Sequence, residues 1–342
     1  MIAIGIDPGF GNFKIADASG RVAVIPSTVG VGEIAPALET GLGRRRREAS
    51  RLPEAVRLGN LTYLAGEVER YARPADRLDM DRFGGGPEME ALLLAAAFRL
   101  LGEGEFEAAA AVGLPVHVLR APDAAETVSS VRRWLVGEHR GEVNGRSFAL
   151  RIRAVRVLAQ PLGAFFAWGL DGSGRWARPS TDFKARVAVI DVGFNTLDIF
   201  AVEAGEVIQR FTQGGTVGVR RAAERLADLM RAQRGWAPSL READAWLRGN
   251  GEEEIGRQAL ETAASEIVTF CEQALGDTAP LLRAVLLTGG GIAFAPIRER
   301  LMRRFPNAVV PADPVTANAL GLARFAARLI RERKDGPAGT EA

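Results

Sequence analysis

The chain writes one short phrase twice. MIAIGIDPGFGNFK opens it and VAVIDVGFNTLDIF recurs at 187–200, each an apolar run that ends in Asp-x-Gly-Phe. Such a run reads as a buried strand, and the glycine after the aspartate turns the chain at the strand's end. There the glycines expose backbone N–H groups and admit anionic oxygens, while the carboxylate can face a hydrated divalent cation. One copy is compatible with an ordinary strand-ending turn. Two copies, aligned as Asp7-Pro-Gly-Phe-Gly-Asn and Asp191-Val-Gly-Phe-Asn-Thr, predict duplicated α/β halves that face each other, each offering one phosphate loop.

The rest of the chain accommodates two such halves. Its 342 residues suffice for two domains, and 47% hydrophobic with 25% charged residues excludes a disordered or fibrous protein. FKIADASGRVAVIPS predicts strands broken at Asp17–Gly20 as a hairpin. Pro87 opens the helix PEMEALLLAAAFRLLGEG, with proline at the first position and glycine past the end. EAAAAVGLPV reads as a buried strand, APDAAETVSSVRRWLVGEH as a helix, RSFALRIRAVRVLAQ as strands, and PLGAFFAWGL as a helix rich in small residues. The Gly/Ser/Pro-rich DGSGRWARPSTD marks a boundary region, after which ARVAVIDVG begins the second block. Helices are expected at about 217–233, 239–248 and 252–275, with TANALGLARFAARLIRER as the last helix and KDGPAGTEA as a frayed tail. Strands alternating with helices predict an α/β fold with largely parallel sheet in each half.

Two further glycine elements belong to the same pattern. VLLTGGGIAF (285–294) ends a strand in three glycines, a flat backbone surface suited to a base and sugar. Gly214-Gly215 precedes the helix TVGVRRAAERLADLM, whose N-terminal dipole would face an anion or nucleotide.

Taken in order, these motifs resemble the actin, sugar kinase and heat-shock chaperone superfamily of ATPases. Asp7, Gly9, Gly11 and Lys14 resemble actin's first phosphate loop, and Asp191, Gly193, Thr196 and Asp198 the second loop of the chaperone ATPases. LTGGG resembles the adenosine motif, AQPLGAFFAWG the linking helix with its water-positioning residue, and TANALGLARFA the final helix that returns to the first domain. DPGFGNFKIADASGRVAVIPS, the GLP turn at 113–115 and the strand–QPLGA connection narrow the likeness to prokaryotic actin-like proteins, the ParM type and its archaeal relatives. One departure is Phe10, which stands where actin has a serine able to touch the terminal phosphate. That contact must come here from backbone N–H groups or Asn12.

The resemblance implies two ribonuclease H-like domains flanking a nucleotide cleft. Domain I would span 1–158 with the helix 314–333 returning to it, domain II 159–313, and a frayed tail 334–342. ATP or ADP would be the cofactor, with Mg²⁺ held largely through water by Asp7 and Asp191. Gly9, Phe10, Gly11, Asn12, Lys14, Gly193, Phe194, Asn195 and Thr196 would bind phosphate. Gly214, Gly215, Glu224, Gly289, Gly290, Gly291 and Ile292 would hold adenosine. Gln160 would orient the attacking water, the alternative being a helix-capping amide. Asp191 and Asp198 join it as catalytic candidates, Asp198 either activating the water or bracing its loop.

The implied function is a slow, assembly-coupled ATPase forming homopolymeric filaments for plasmid or DNA segregation or cytoskeletal positioning, through a DNA-binding adaptor. A small-molecule kinase of the same superfold is the enzyme alternative, although no acceptor-activating aspartate stands out. A nucleotide-gated scaffold with little turnover is the third.

Composition bears on partners. Forty-four basic residues nearly balance 42 acidic ones for a net charge of +2, so whole-molecule affinity for nucleic acid is not implied. Arg44–Arg47 reads as a solvated loop rather than a DNA patch. The opening MIAIGIDPG is no signal peptide, and the apolar stretch MEALLLAAAFRLL is too short to span a bilayer. A single cysteine, Cys271, fits a reducing compartment and core packing. His117 and His139 lack companions at metal spacing. A cytoplasmic protein without direct membrane or DNA contact is expected.

Overall fold

FKIADASGRVAVIPS does fold into a hairpin, and its turn shows why. In the computed structural model of the protein, Asp17 Oδ1 accepts the backbone N–H groups of Ser19 and Arg21 and the Ser19 hydroxyl, while Gly20 takes a left-handed φ of 104°. The structure describes residues 1–34, 52–74, 83–251 and 253–335. The Arg44–Arg47 run and the tail from 336 onward lie outside the described residues.

The strands of the first half are β1 (Ile2–Pro8), β2 (Asn12–Asp17), β3 (Val22–Pro26), β4 (Val29–Val31), β5 (Glu54–Leu58), β6 (Leu61–Ala65), β7 (Gly104–Leu114), β8 (Gly137–Val143) and β9 (Arg146–Ala159). They form one sheet in the order β3-β2-β1-β7-β9-β8-β5-β6-β4. The second half adds β10 (Arg186–Val192), β11 (Leu197–Glu203), β12 (Glu206–Val207), β13 (Gln213–Gly215), β14 (Ala284–Thr288) and β15 (Ala308–Val309). Their order is β12-β11-β10-β14-β15, with β13 also paired to β11. The expectation of largely parallel sheets is corrected here. Among the described residues only β1–β7 and β7–β9 are parallel in the first sheet, and β10–β14 and β14–β15 in the second. Short turns after both Asp-x-Gly loops, and between β8 and β9, fold neighbouring strands back as hairpins, which are antiparallel by necessity.

Between their first residue and the aspartate the two repeated strands are apolar because both of their faces are covered. Alternate residues divide between the faces. In β1, Ile4 and Ile6 join the core under helix α1 (Pro87–Leu101). Ala3 faces a different layer, formed by Leu322 and Ala326 of the C-terminal helix. In β10, Ala188, Ile190 and Val192 pack with Leu226 and Ile267 from helices at 220–234 and 254–275, whereas Val187 and Val189 meet Ala164 and Phe165 of helix α2 (Gln160–Gly169). We label the later helices α3 (Arg220–Arg234), α4 (Glu254–Leu275) and α5 (Ala317–Asp335).

Helices α2 and α5 cross in contact between the sheets. A Cβ on Gly321 would lie 1.7 Å from the Gly163 carbonyl oxygen, so only glycine permits this approach. Phe166 stacks on Phe325 at 4.6 Å, and Arg324 Nη1 donates to the carbonyls of Ala167 and Leu170, each at 2.7 Å. Gly5 of β1 leaves equally little room, since a Cβ there would meet the Ala319 carbonyl at 2.0 Å. The C-terminal helix therefore sits on the first sheet and on the helix that leads into the second.

Candidate functional site

Each repeated strand places its aspartate at a hairpin mouth. Asp7 pairs in register with Lys14, and Asp191 with Asp198, so the duplication brings one extra ionisable group per half to the same level. All four side chains are buried. Lys14 Nζ donates to Asp7 Oδ2 at 2.8 Å, while Asp7 Oδ1 is buried with no hydrogen-bond partner. An orphaned carboxylate oxygen in such a place is a position for a cation or an ordered water. Burial pulls the Lys14 ammonium down, but Asp7, aided by Asp191 and Asp313, outweighs it and holds Lys14 above its ordinary value. Burial and then the Asp7 charge push Asp191 up to about 6. Burial and then Asp191 push Asp198 up to about 8. Carboxylates from the two sheets thus sense each other.

The two loops also touch. A Cβ on Gly11 would sit 3.3 Å from the Phe194 Cβ. Their carbonyls are drawn into the protein: Ser27 Oγ donates to Gly9 O at 2.6 Å, Val219 N to Gly193 O at 3.1 Å, and Arg220 N to Phe194 O at 2.7 Å. The C=O and N–H of a trans peptide point in opposite directions. The N–H groups of Phe10, Phe194 and Asn195 are therefore turned away from these partners. The Phe10 ring packs edge-to-face on Phe83 at 5.9 Å, so the loop's chemistry at this position is that of its backbone.

The same hydrogen bonds correct one expectation. The N–H groups of Val219, the cap residue of α3, and of Arg220, its first residue, are spent on the carbonyls of the second loop, so this helix end braces the loop instead of leaving those groups open to an anion.

The N-terminal domain family of actin-like proteins matches residues 5–163, and the C-terminal domain family of the archaeal MreB-like actin homologue matches residues 189–302. The chain is an actin-like protein. The archaeal actin homologue Ta0583 superposes with a TM-score of 0.73 at 20% identity, covering 96% of this chain and 100% of its own. A ParM from Clostridium botulinum, solved as a 15-stranded filament, gives 0.75 at 18% identity over 96% and 99%. The apo pSK41 ParM gives 0.71 at 16% over 98% and 99%. No curated protein matches the sequence.

In this actin-like fold the remaining candidates fall into distinct settings. Asp198 Oδ1 accepts Val116 N–H at 3.0 Å and Oδ2 accepts the Thr196 hydroxyl at 3.2 Å. Val116 follows the GLP turn on the first sheet, so Asp198 ties the two sheets together. Gly214 lies under it, where a Cβ would come within 2.3 Å of Asp198 Oδ1, and Gly215 faces Phe270. Gly289 has φ of 91°, and a Cβ there would meet Asp191 Oδ1 at 2.4 Å. Gly291 presses on Val192. Because Thr288 is in register with Asp191, the chain leaving β14 passes directly beneath that carboxylate. Gly290 and Ile292 lie in the same turn, with Arg248 near the Gly290 carbonyl and over the Phe294 ring.

Gln160 is buried at the first position of α2. The cap residue there is Ala159 with no side-chain cap, so the capping alternative finds no support. Asn12 is half-buried at the start of β2. Glu224 is paired to Arg220 at 2.8 Å, and Arg220 reaches Asn195 Oδ1 at 3.4 Å.

Sequence reasoning missed Asn318. Its buried amide donates from Nδ2 to Asp191 Oδ2 at 2.8 Å and accepts Ala164 N–H at Oδ1 at 3.2 Å. One signal was available: Leu322 and Ala326, four and eight residues on, are core positions, which puts an asparagine on a buried helix face. Among the described residues no helix is long and apolar enough to cross a membrane, and no group of three or more His, Cys, Asp or Glu is placed to hold a metal. His139 instead bonds Glu90 at 2.9 Å, and Cys271 is core, its thiol pushed well up by burial.

Proposed function

We propose that this actin-like protein binds Mg·ATP between its two halves, hydrolyses it slowly and assembles into filaments under nucleotide control. The observation that carries this reading is the meeting of the repeated loops, Gly11 against Phe194, around Asp7, Lys14 and Asp191. Ta0583 has been solved in complex with ADP, and the C. botulinum ParM as a filament.

The residues fit a magnesium nucleotide. The orphaned Asp7 Oδ1 and the buried Asp191 are the donors suited to a cation that keeps most of its water. Bound Mg²⁺ would neutralise phosphate charge. Lys14 would exchange its bond to Asp7 for phosphate oxygens, acting as a point charge. The N–H groups of Phe10, Phe194 and Asn195 would line the phosphates, and Gln160 would hold the attacking water in line. The glycines at 289–291, with Gly214, Gly215, Glu224 and Ile292, would frame the nucleoside. Asp198, with both oxygens engaged, would brace the second loop rather than act as a base.

The division into 1–158 plus 314–333 and 159–313 gives each loop its own domain, and closure on the γ-phosphate would set the geometry for head-to-tail assembly. The task proposed is plasmid or DNA segregation in the cytoplasm through an adaptor. Sedimentation and phosphate release with ATP, ADP and no nucleotide test this. ATP-dependent pelleting accompanied by phosphate release is expected, and a monomer at tens of micromolar in every state would refute assembly (concentrations at which weak contacts ordinarily show, on the order of the micromolar scale).

A further inference from the structure

Asn318 belongs to neither glycine loop, yet it is the side chain that connects the cleft to the crossing helices. It is 2% exposed, and its amide orientation is dictated by its partners. Ala164 N–H can only donate, so the oxygen must face it, and the NH₂ must therefore face Asp191. On the other flank, Gly289 crowds Asp191 Oδ1 so closely that no Cβ is tolerated. The carboxylate is thus clamped on both sides, by an amide donor on one and a glycine turn on the other. Ala164 itself is fixed where Gly163 packs against α5, with a Cβ on Gly163 falling 2.3 Å from the Asn318 carbonyl. The amide is consequently rigid from three directions: its own backbone, the α2 backbone and Asp191.

We infer that Asn318 is a positioning residue for the divalent cation: it holds Asp191 by Oδ2 so that the carboxylate is presented in one orientation to the magnesium of a bound nucleotide. This rests on the nucleotide reading above and deepens it. Partners behind a metal-binding carboxylate commonly change metal affinity by about 10–100-fold when removed. Asn318 does not touch the nucleotide, so its effect falls on the metal-dependent part of binding. Loss of the amide frees Asp191 to rotate and removes the Asn318 donor from Oδ2, while the glycine loops and Lys14 are untouched.

The test compares the affinity for a fluorescent ADP derivative with Mg²⁺ and with EDTA. For the wild type, Mg²⁺ should tighten binding. Asn318→Ala should reduce that tightening about tenfold or more while leaving the EDTA affinity near the wild-type value. Arg324→Ala serves as control, since it loosens the same helix pair by removing the donor to Ala167 and Leu170 without touching Asp191; it should leave the magnesium effect intact. Asn318→Leu, which keeps the volume of the side chain but carries no donor, covers the case in which the alanine variant does not fold. An unchanged magnesium effect in either folded Asn318 variant, or an equal loss in EDTA and in the Arg324 control, overturns the inference while leaving the nucleotide reading standing. A wild type whose ADP affinity ignores Mg²⁺ overturns both.

Discussion

Asp198→Asn isolates the electrostatics of the cleft. In the wild type, burial and the nearby Asp191 push the Asp198 carboxyl from its ordinary 3.8 up to about 8. Below the ordinary value both folded and unfolded chains carry the proton, and pH has no effect through this group. Above it the unfolded chain releases a proton that the folded protein keeps, so stability falls as pH rises until the folded carboxyl ionises near 8. The slope in that window is about 1.4 kcal/mol per pH unit. Asp191 makes the same kind of contribution, but only up to about 6. Between pH 6 and pH 7.5 the part of the decline that belongs to Asp198 amounts to about 2 kcal/mol, or roughly 4–8 °C in Tm for a domain of about 150–250 residues. His139, which burial pulls down but Glu90 holds above its ordinary value, and His117, pushed down by burial, also titrate around this window, but they are common to both proteins and cancel in the comparison. Asparagine has no proton to lose. Its oxygen can still accept Val116 N–H, and its NH₂ can donate to the Thr196 hydroxyl in place of accepting from it. Thermal unfolding in EDTA without nucleotide should show the variant gaining on the wild type as pH rises through this window. Parallel curves from pH 6 to 7.5 would refute the electrostatic account. Because Asp198 reads as a brace, the variant should also keep its nucleotide turnover.

Three further changes probe separate parts of the structure. Gln160→Ala should slow ATP hydrolysis by about 100-fold while sparing nucleotide affinity, as expected of water positioning; unaltered phosphate release would remove it from the mechanism. Gly289→Ala should cost about 2 kcal/mol or more in stability, since a side chain there combines positive φ with collision against Val192 O and Asp191 Oδ1; a denaturation midpoint equal to wild type would contradict the packing. Gly321→Ala should lower Tm by forcing α2 and α5 apart, and wild-type thermal stability would show that the crossing tolerates separation.

Much of the fold was legible because its signals are local. Strand ends at Asp7 and Asp191 are marked by apolar runs and glycine turns, and the hairpin after the first loop by Asp17 and Gly20. Pro87 and Gly102 bracket α1. What stayed hidden depends on partners distant in the chain. The sheets are mixed because hairpin partners return antiparallel, a matter of turn length that strand–helix alternation does not report. The α3 N-terminus looks free in sequence and is consumed by Gly193 and Phe194. Asp198 finds Val116 across 82 positions, and Asn318 finds Asp191 across 127. The glycine run at 289–291 was recognisable in the sequence, but the steric reason for Gly289, the carboxylate beside it, needed the β10–β14 register.

The central claim is that one nucleotide is gripped by both repeated loops at once. A crystal structure with magnesium and a nonhydrolysable ATP analogue tests it directly. The account predicts phosphate oxygens against the backbone of Gly9–Asn12 and Gly193–Thr196, Lys14 swung from Asp7 to phosphate, and a hydrated cation beside Asp7 and Asp191. An analogue bound away from these loops, or Lys14 still paired to Asp7 with phosphate present, would contradict it.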